Sequence, residues 1–429
     1  MSEKTPPDLR TEVIAGITTF LTMSYIVVVN PSILSTEGTG MSFSGVLTAT
    51  VLVSFLSTMA MGLYARLPFA VAPGMGLNAF FTFTLVLGKG IPWPTALGMI
   101  FWSGVLFLLA SATNLRTQIV RAIPPGLRLA AAAGIGIFLT FIGLKNAGLV
   151  VADPVTFVRP GPLGREPLLA VFGLAVMAWL LQKKSPFAFL AGMAAVTGAG
   201  WALGGVSLPE RMVQAPDFGS VFLRLDILGA LKWSFVPAIL TLLFTDLFDS
   251  VSTFVGVSQA AGLLDKDGHP KNLREGLLVD AFATFSAGLA GTSSGTAYIE
   301  SAAGIEAGGR TGRTAVVTAL CFLPCLFIAP LAGMVPPSAT APVLIVVGAL
   351  MFRSAAKLDL RRIEDSIPAF LTLLLIPLTF SITQGILWGF ISHVGLYLLA
   401  GRRKEIAPMM YALAAISLLL LAIENGLFG

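Results

Sequence analysis

GLYARLPFAVAPGMGLNAFF at residues 62–81 and GLAGTSSGTAYIESAAGIEA at 288–307 are the stretches on which the fold turns. Each reads as a helix end, then a strip of small or proline residues, then a short helix rich in glycine and alanine. Pro68, Pro73 and Gly74 break the first, because proline lacks a backbone donor and clashes with the preceding turn. The run Gly291-Thr292-Ser293-Ser294-Gly295 breaks the second. Both strips lie among apolar runs, where unpaired backbone is tolerated only under cover of protein or a water-filled cavity. They therefore face the protein interior. Each strip is expected to precede a helix of about 12–15 residues, roughly 20 Å long. A half-helix that starts mid-membrane aims free N–H groups and a positive dipole end at the centre. One such segment alone reads as a kinked packing helix. Two at matching positions of a repeat mark a transporter site.

Composition supplies the solvent. The 429 residues are 55% hydrophobic and 11% charged, with a mean hydropathy of +0.87, whereas soluble domains carry about 25% charge. Lipid must cover the remaining apolar surface. Spans are expected at 12–30, 44–64, 74–88, 92–112, 129–149, 167–182 and 186–204, then at 233–260, 274–290, 296–307, 312–334, 340–356, 367–380 and 383–400. A polar-dotted connection, 205–232, separates the two series, and an apolar stretch at 407–427 stands outside them. Residues 1–10 lack the order of a cleavable signal, so the first span is read as retained. With the N-terminus inside, only Lys89, Lys145, Arg159, Arg165, Arg211, Arg224 and Lys232 of the 27 basic residues fall outside. That asymmetry is the positive-inside pattern, and it accounts for the net charge of +5 without any nucleic-acid partner. Seven spans per series is odd, so the second unit enters with opposite polarity, an inverted repeat.

Carboxylates inside spans are costly, about 3 kcal/mol on insertion scales, and usually face a cavity or a partner. Asp246 and Asp249 lie in LLFTDLFDSVSTFVG at 242–256, and Glu300 lies in the second half-helix. Three apart, the two aspartates share a helix face, which Ser250 and Thr253 extend. Asp249 also admits a plainer reading, a bond to neighbouring backbone. Asn78 in the first half-helix can both donate and accept. Tyr298 and the aromatics near 80–83 can stack on a flat ligand or simply pack. His393 reads as a packed histidine, and Cys321 and Cys325, one turn apart, as small packing residues. Glu12 is expected near the interface with no need of burial. Glu37, Asp153, Glu210, Asp217 and Asp226 read as solvated loop acids, and Asp265, Asp267 and His269 as a polar turn. No Walker motif, metal-ligand cluster, Ser/His/Asp grouping or dinucleotide fingerprint occurs. Neither an enzyme nor a cofactor is expected, and transport would draw on an ion gradient.

TEVIAGITTFLTMSYIVVVNP at 11–31, APGMGLNAFF at 72–81, TDLFDSVSTFVG at 245–256, TAYIESAAGIEAGGRTG at 296–312 and IPAFLTLLLIPLTFSITQGI at 367–386 resemble the AzgA-like purine permeases. These are a branch of the nucleobase–ascorbate transporter superfamily, and the similarity spans nearly the whole chain. The resemblance implies an all-α, fourteen-segment (7+7) inverted-repeat transporter with core and gate domains. The core would comprise 1–128 and 233–334, the gate 129–204 and 335–429, with 205–232 as an extracytoplasmic connection. It implies proton-coupled uptake of adenine, guanine or hypoxanthine across the plasma membrane, and a homodimer through the gate. The family's functional positions fall on Gly76, Asn78, Asp246, Asp249 and Glu300. The chain departs from the family pattern at Gly295, where valine is more usual. A purine is flat, neutral and edged with donors and acceptors, so Glu300 and Asp246 would accept its N–H groups. N–H groups near Asn78 and Tyr298 would donate, Ile299 would also line the substrate site, and Asp246 or Glu300 would carry the proton. Three alternatives remain: another nucleobase, an anion transporter of sulfate-permease type on the same fold, and a channel.

Overall fold

The computed structural model describes residues 8–113, 122–263 and 271–424. The expected polar turn of Asp265, Asp267 and His269 lies outside these, as do Lys4, Arg116, Arg121 and Lys266. The first series comprises α1 (Leu9–Leu34), α2 (Phe43–Ala65), strand β1 (Val71–Pro73), α3 (Met75–Gly88), α4 (Trp93–Ala112) and α5 (Pro125–Asn146). A hairpin of β2 (Val150–Asp153) and β3 (Phe157–Pro160) leads to α6 (Arg165–Gln182) and α7 (Ala188–Ala202). The second series runs α8 (Val236–Ala261), α9 (Leu273–Ala290), β4 (Gly295–Ala297), α10 (Ser301–Glu306) and α11 (Gly312–Phe327). It continues through α12 (Pro337–Phe352), α13 (Ile363–Thr379) and α14 (Ile382–Leu399), and α15 (Pro408–Glu424) follows. Among the described residues, eight helices are long and apolar enough to cross a membrane unaided.

Local chemistry sets these boundaries. Asp8 accepts from the Thr11 N–H at 2.9 Å and Ser42 from the Gly45 N–H at 3.3 Å, supplying acceptors for orphan donors at the starts of α1 and α2. Gly291, at φ 94°, ends α9; a side chain there would strike Val221, 2.6 Å from the added carbon. The helix pairings fall into two groups. In one, α1 packs on α11, α2 on α9 and α11, and α4 on α8 and α9. In the other, α5 packs on α12 and α13, α6 on α7 and α12, and α13 on α14. Small residues bring backbones together in both. A carbon added at Gly62 would lie 2.5 Å from the Gly312 carbonyl, and one at Gly136 2.5 Å from that of Gly348.

The two strips pair with each other. β1 and β4 form an antiparallel ladder, Val71 opposite Ala297, Ala72 opposite Thr296 and Pro73 opposite Gly295. The Gly74 N–H donates to Ser294 O and the Tyr298 N–H to Ala70 O, both at 2.9 Å. Thr58 closes the outer edge, accepting from the Val71 N–H at 3.0 Å and donating to its carbonyl at 2.9 Å. The backbone groups freed by the helix breaks are thus spent on one another. Gly295 fits a close approach: a side-chain carbon there would lie 2.7 Å from Ala283 of α9.

Several expectations need correction. The 296–307 span is a three-residue strand followed by a six-residue helix, because the strip extends further than glycine content implied. α1 is interrupted at Ser24–Tyr25, with helix from Leu9 to Met23 and from Ile26 to Leu34. Glu12 is fully buried and accepts from the Thr314 hydroxyl and the Arg310 N–H, tying α1 to the start of α11. Asp217 is no free loop acid. It accepts from the hydroxyls of Ser44 at 2.8 Å and Ser220 at 2.7 Å, and from the N–H groups of Gly219 and Ser220. Asp226 caps the turn at Gly229 and accepts from Thr95. Asp153 closes the β2–β3 hairpin through the Val155 and Thr156 N–H groups. His393, by contrast, is packed as expected, buried against the Tyr397 ring with 4.4 Å between centroids.

Candidate functional site

α8, the paired strips, the Ser24–Tyr25 break in α1 and the start of α10 converge mid-structure. Glu300, at the cap of α10, is half-buried, and its Oε1 accepts from the Tyr25 hydroxyl at 2.7 Å. Asp249, one turn beyond Asp246 on α8, is likewise half-buried and lies within electrostatic range of Glu300 and of Tyr25 and Tyr298. Tyr298 donates to the Pro73 carbonyl at 2.5 Å, bridging the strips edge to edge. Ile299, beside Glu300, is 60% exposed. Among the described residues, no lysine or arginine forms an ion pair with Asp249 or Glu300. Two part-exposed carboxylates thus lie within electrostatic range of each other, and no described lysine or arginine pairs with either, an arrangement that favours a bound proton or an N–H donor.

Asp246 sits elsewhere. It is fully buried against the Thr284 hydroxyl on α9, whose single proton lies between Asp246 and the Gly295 carbonyl of β4, 3.0 Å away. Sharing a helix with Asp249 did not bring both to one surface: residues three apart are still offset by about 60° around the axis, enough for α9 to claim one. Asp280 of α9 lies behind the same strip. It accepts from the Ala297 N–H at 3.0 Å and from the Ser250 hydroxyl, which in turn bonds Thr296 at 2.9 Å. Asp280 was legible in the sequence, since it stands in the apolar run GLLVDAFATF at 276–285 and meets the criterion that singled out Asp246.

Asn78 is buried, its Oδ1 accepting from the Ser293 hydroxyl and its Nδ2 reaching Met75 Sδ at 3.9 Å. Ser293 belongs to the opposite strip, so Asn78 joins the two repeats. Gly76 is where α3 meets α5; an added carbon would sit 2.6 Å from Ile135. Asn30 donates to Thr50 at 2.7 Å and Thr292 at 2.8 Å, fixing α1 to the second strip. The donors expected from the second half-helix are already used. The N–H groups of Ser301, Ala302 and Ala303 close onto the carbonyls of Tyr298, Ile299 and Glu300, because so short a helix tightens into i→i+3 bonds. A cleft of about 380 Å³ lies apart, lined mostly by apolar groups such as Leu190, Met193, Trp201 and Leu331. Thr197 is the one side-chain hydroxyl in its lining, too little to orient a polar substrate.

Residues 10–387 match a family described simply as a permease family (Xan_ur_permease). This chain belongs to that family. It is a multi-pass membrane permease of the AzgA-like nucleobase-permease type, and not an enzyme. The Escherichia coli adenine permease AdeP is 42% identical over 411 residues, 96% of this chain and 92% of that one. The Bacillus subtilis guanine/hypoxanthine permease PbuG is 41% identical over 423 residues, 96% of each. The transmembrane domain of the cyanobacterial bicarbonate transporter BicA superposes with a TM-score of 0.67 at 18% identity, covering 89% of this chain and 97% of that one. SLC26A9 gives 0.63 at 8% identity, covering 91% and 65%. At such identities the likeness shows the fold alone: the 7+7 inverted repeat with core and gate domains.

Proposed function

We propose that the chain is a proton-coupled purine permease whose binding acids are Glu300 and Asp249. The observation that carries this is a pair of carboxylates, both half-buried and within electrostatic range of each other, with no described lysine or arginine paired to either. Ring and exocyclic N–H groups of a neutral purine are donors that such a pair accepts through charge-assisted bonds. The relatives named for adenine and for guanine/hypoxanthine carriage support the substrate class. One proton held between the acids in the substrate-bound state would lower the charge that the core carries past the gate. Asp249 takes the proton role in this reading rather than Asp246, whose buried carboxylate is engaged by Thr284 behind the strip. Gly76 and Asn78 serve by setting α3 against α5 and the strips, and Tyr298 and Ile299 frame the opening.

The same reading places the chain in the plasma membrane with Leu9 cytoplasmic, which the distribution of lysine and arginine supports. Residues 1–128 and 233–334 would move as a core against a gate of 129–204 and 335–429, and two gates would meet in a homodimer. An anion transporter shares the fold, but a carboxylate pair repels its substrate. The test is competition of labelled adenine, guanine, hypoxanthine, uracil and sulfate in reconstituted vesicles, with and without an uncoupler. Purines are expected to compete, and the uncoupler to abolish accumulation. Glu300→Gln and Asp249→Asn should each cut uptake at least 10-fold. Displacement by sulfate, or full uptake by both variants, would overturn the reading.

A further inference from the structure

Tyr25 occupies a position that helix geometry rarely provides. It stands in the break of α1, and its carbonyl accepts from the N–H groups of Val28 at 3.1 Å and Val29 at 2.9 Å. The second half of α1 thereby holds its backbone. Its ring is 1% exposed and lies on the ring of Phe189, 4.6 Å between centroids at a 47° tilt. Phe189 opens α7, within the helices of the α5–α7 group, whereas α1 packs on α11 in the other group. The Tyr25 hydroxyl donates to Glu300 Oε1 at 2.7 Å. One side chain therefore touches the substrate acid at its tip and the opposite helix group with its face.

A glutamate has three rotatable torsions, and Glu300 has a second carboxylate, Asp249, close enough to repel it. A donor fixed on Oε1 decides where Oε2 points. Because Tyr25 is fully enclosed in this arrangement, its hydroxyl reaches Glu300 from the protein side.

We propose that Tyr25 is a positioning residue that presents Glu300 to the substrate, and that Phe189 holds Tyr25 in register when the two helix groups stand as they do here. The inference rests on the purine-site reading above. It makes purine affinity depend on the relative placement of the two groups, since sliding one past the other takes Phe189 away from the Tyr25 ring.

Tyr25→Phe keeps the ring and removes only the donor. Labelled adenine uptake in vesicles, with membrane level measured in parallel, is expected to show KM raised about 10-fold or more for this variant. Vmax should stay within about twofold, which a fold-wide defect would not produce. Phe189→Leu keeps an apolar side chain but loses the ring contact, and should raise KM by about threefold. The double variant should be no worse than Tyr25→Phe alone, because both act through one bond. An unchanged KM for Tyr25→Phe would overturn the proposal, as would losses that multiply in the double variant. Glu300→Gln separates the two readings. Normal transport by it removes the purine site itself, whereas its failure beside a normal Tyr25→Phe removes only the positioning role.

Discussion

Replacing Asp280 tests whether the strip between the helices is held by hydrogen bonds from behind. Asp280 presents two acceptor oxygens to the Ala297 N–H, at 3.0 Å, and to the Ser250 hydroxyl, all in a fully buried setting. Asp280→Ala removes both acceptors. Each buried donor left unsatisfied costs about 1–3 kcal/mol; with Ser250 able to turn toward Thr296, the loss is mainly that of the Ala297 N–H, about 2–3 kcal/mol. Asp280→Asn keeps one acceptor for Ala297, while its NH₂ can donate to Ser250, whose proton then goes to Thr296. The loss reduces to exchanging a charged acceptor for a neutral one, about 1 kcal/mol. SDS titration of the purified protein in mixed micelles measures both. A graded result, with Asn near wild type and Ala far below, is expected, and adenine uptake should follow the same order because β4 carries Tyr298 and Glu300 just beyond its end. Equal losses for Asn and Ala would show that charge, not bonding, is what Asp280 contributes. A loss under about 1 kcal/mol for Ala would refute the role altogether.

Two further outcomes follow from the connection and the last helix. Burial pushes the Asp217 carboxyl up, but the hydroxyls of Ser220 and Ser44 and the N–H groups of Ser220 and Gly219 outweigh it and hold the group below its ordinary 3.8. A folded value below the unfolded one means that the stabilisation is complete above about pH 4 and is lost as pH falls through the lowered value. Melting curves should therefore show a steeper acid loss for the wild type than for Asp217→Asn below about pH 4, with parallel curves arguing against the clamp. On α15, Leu420 and Leu421 pack with Leu387 near the start of α14 and with Val236 at the start of α8, so α15 runs back along α14. A reporter joined after α15 should register on the face opposite the N-terminus, and a signal on the same face would exclude this course.

Much of the fold was legible because membrane physics leaves little choice. Apolar runs of bilayer length, basic residues gathered on one side and two proline- or glycine-broken strips at matching positions point to an inverted repeat before any coordinates. The strips announced themselves through Pro73, Gly74 and Gly291–Gly295, since unpaired backbone in lipid demands cover. Their pairing into one ladder was not legible, because the partners lie more than two hundred residues apart and short strands carry little periodic signal. The same holds for the break at Ser24–Tyr25, which contains neither proline nor glycine.

The acids divide in the same way. Sequence alone determines that Asp246, Asp249, Asp280 and Glu300 stand in spans where charge is costly, and that no basic residue adjoins them there. It also determines a half-helix at Met75 and a family of permeases. Only the tertiary structure decides which acids stay part-exposed. Asp246 and Asp280 turn to α9 and the strip, where Thr284, Ser250 and Ala297 supply donors. Asp249 and Glu300 remain half-exposed beside Tyr25. The physical reason is that a carboxylate goes where donors are, and those donors come from elements distant in the chain. Helical spacing sets an acid's direction, but the neighbour that meets it is chosen by packing.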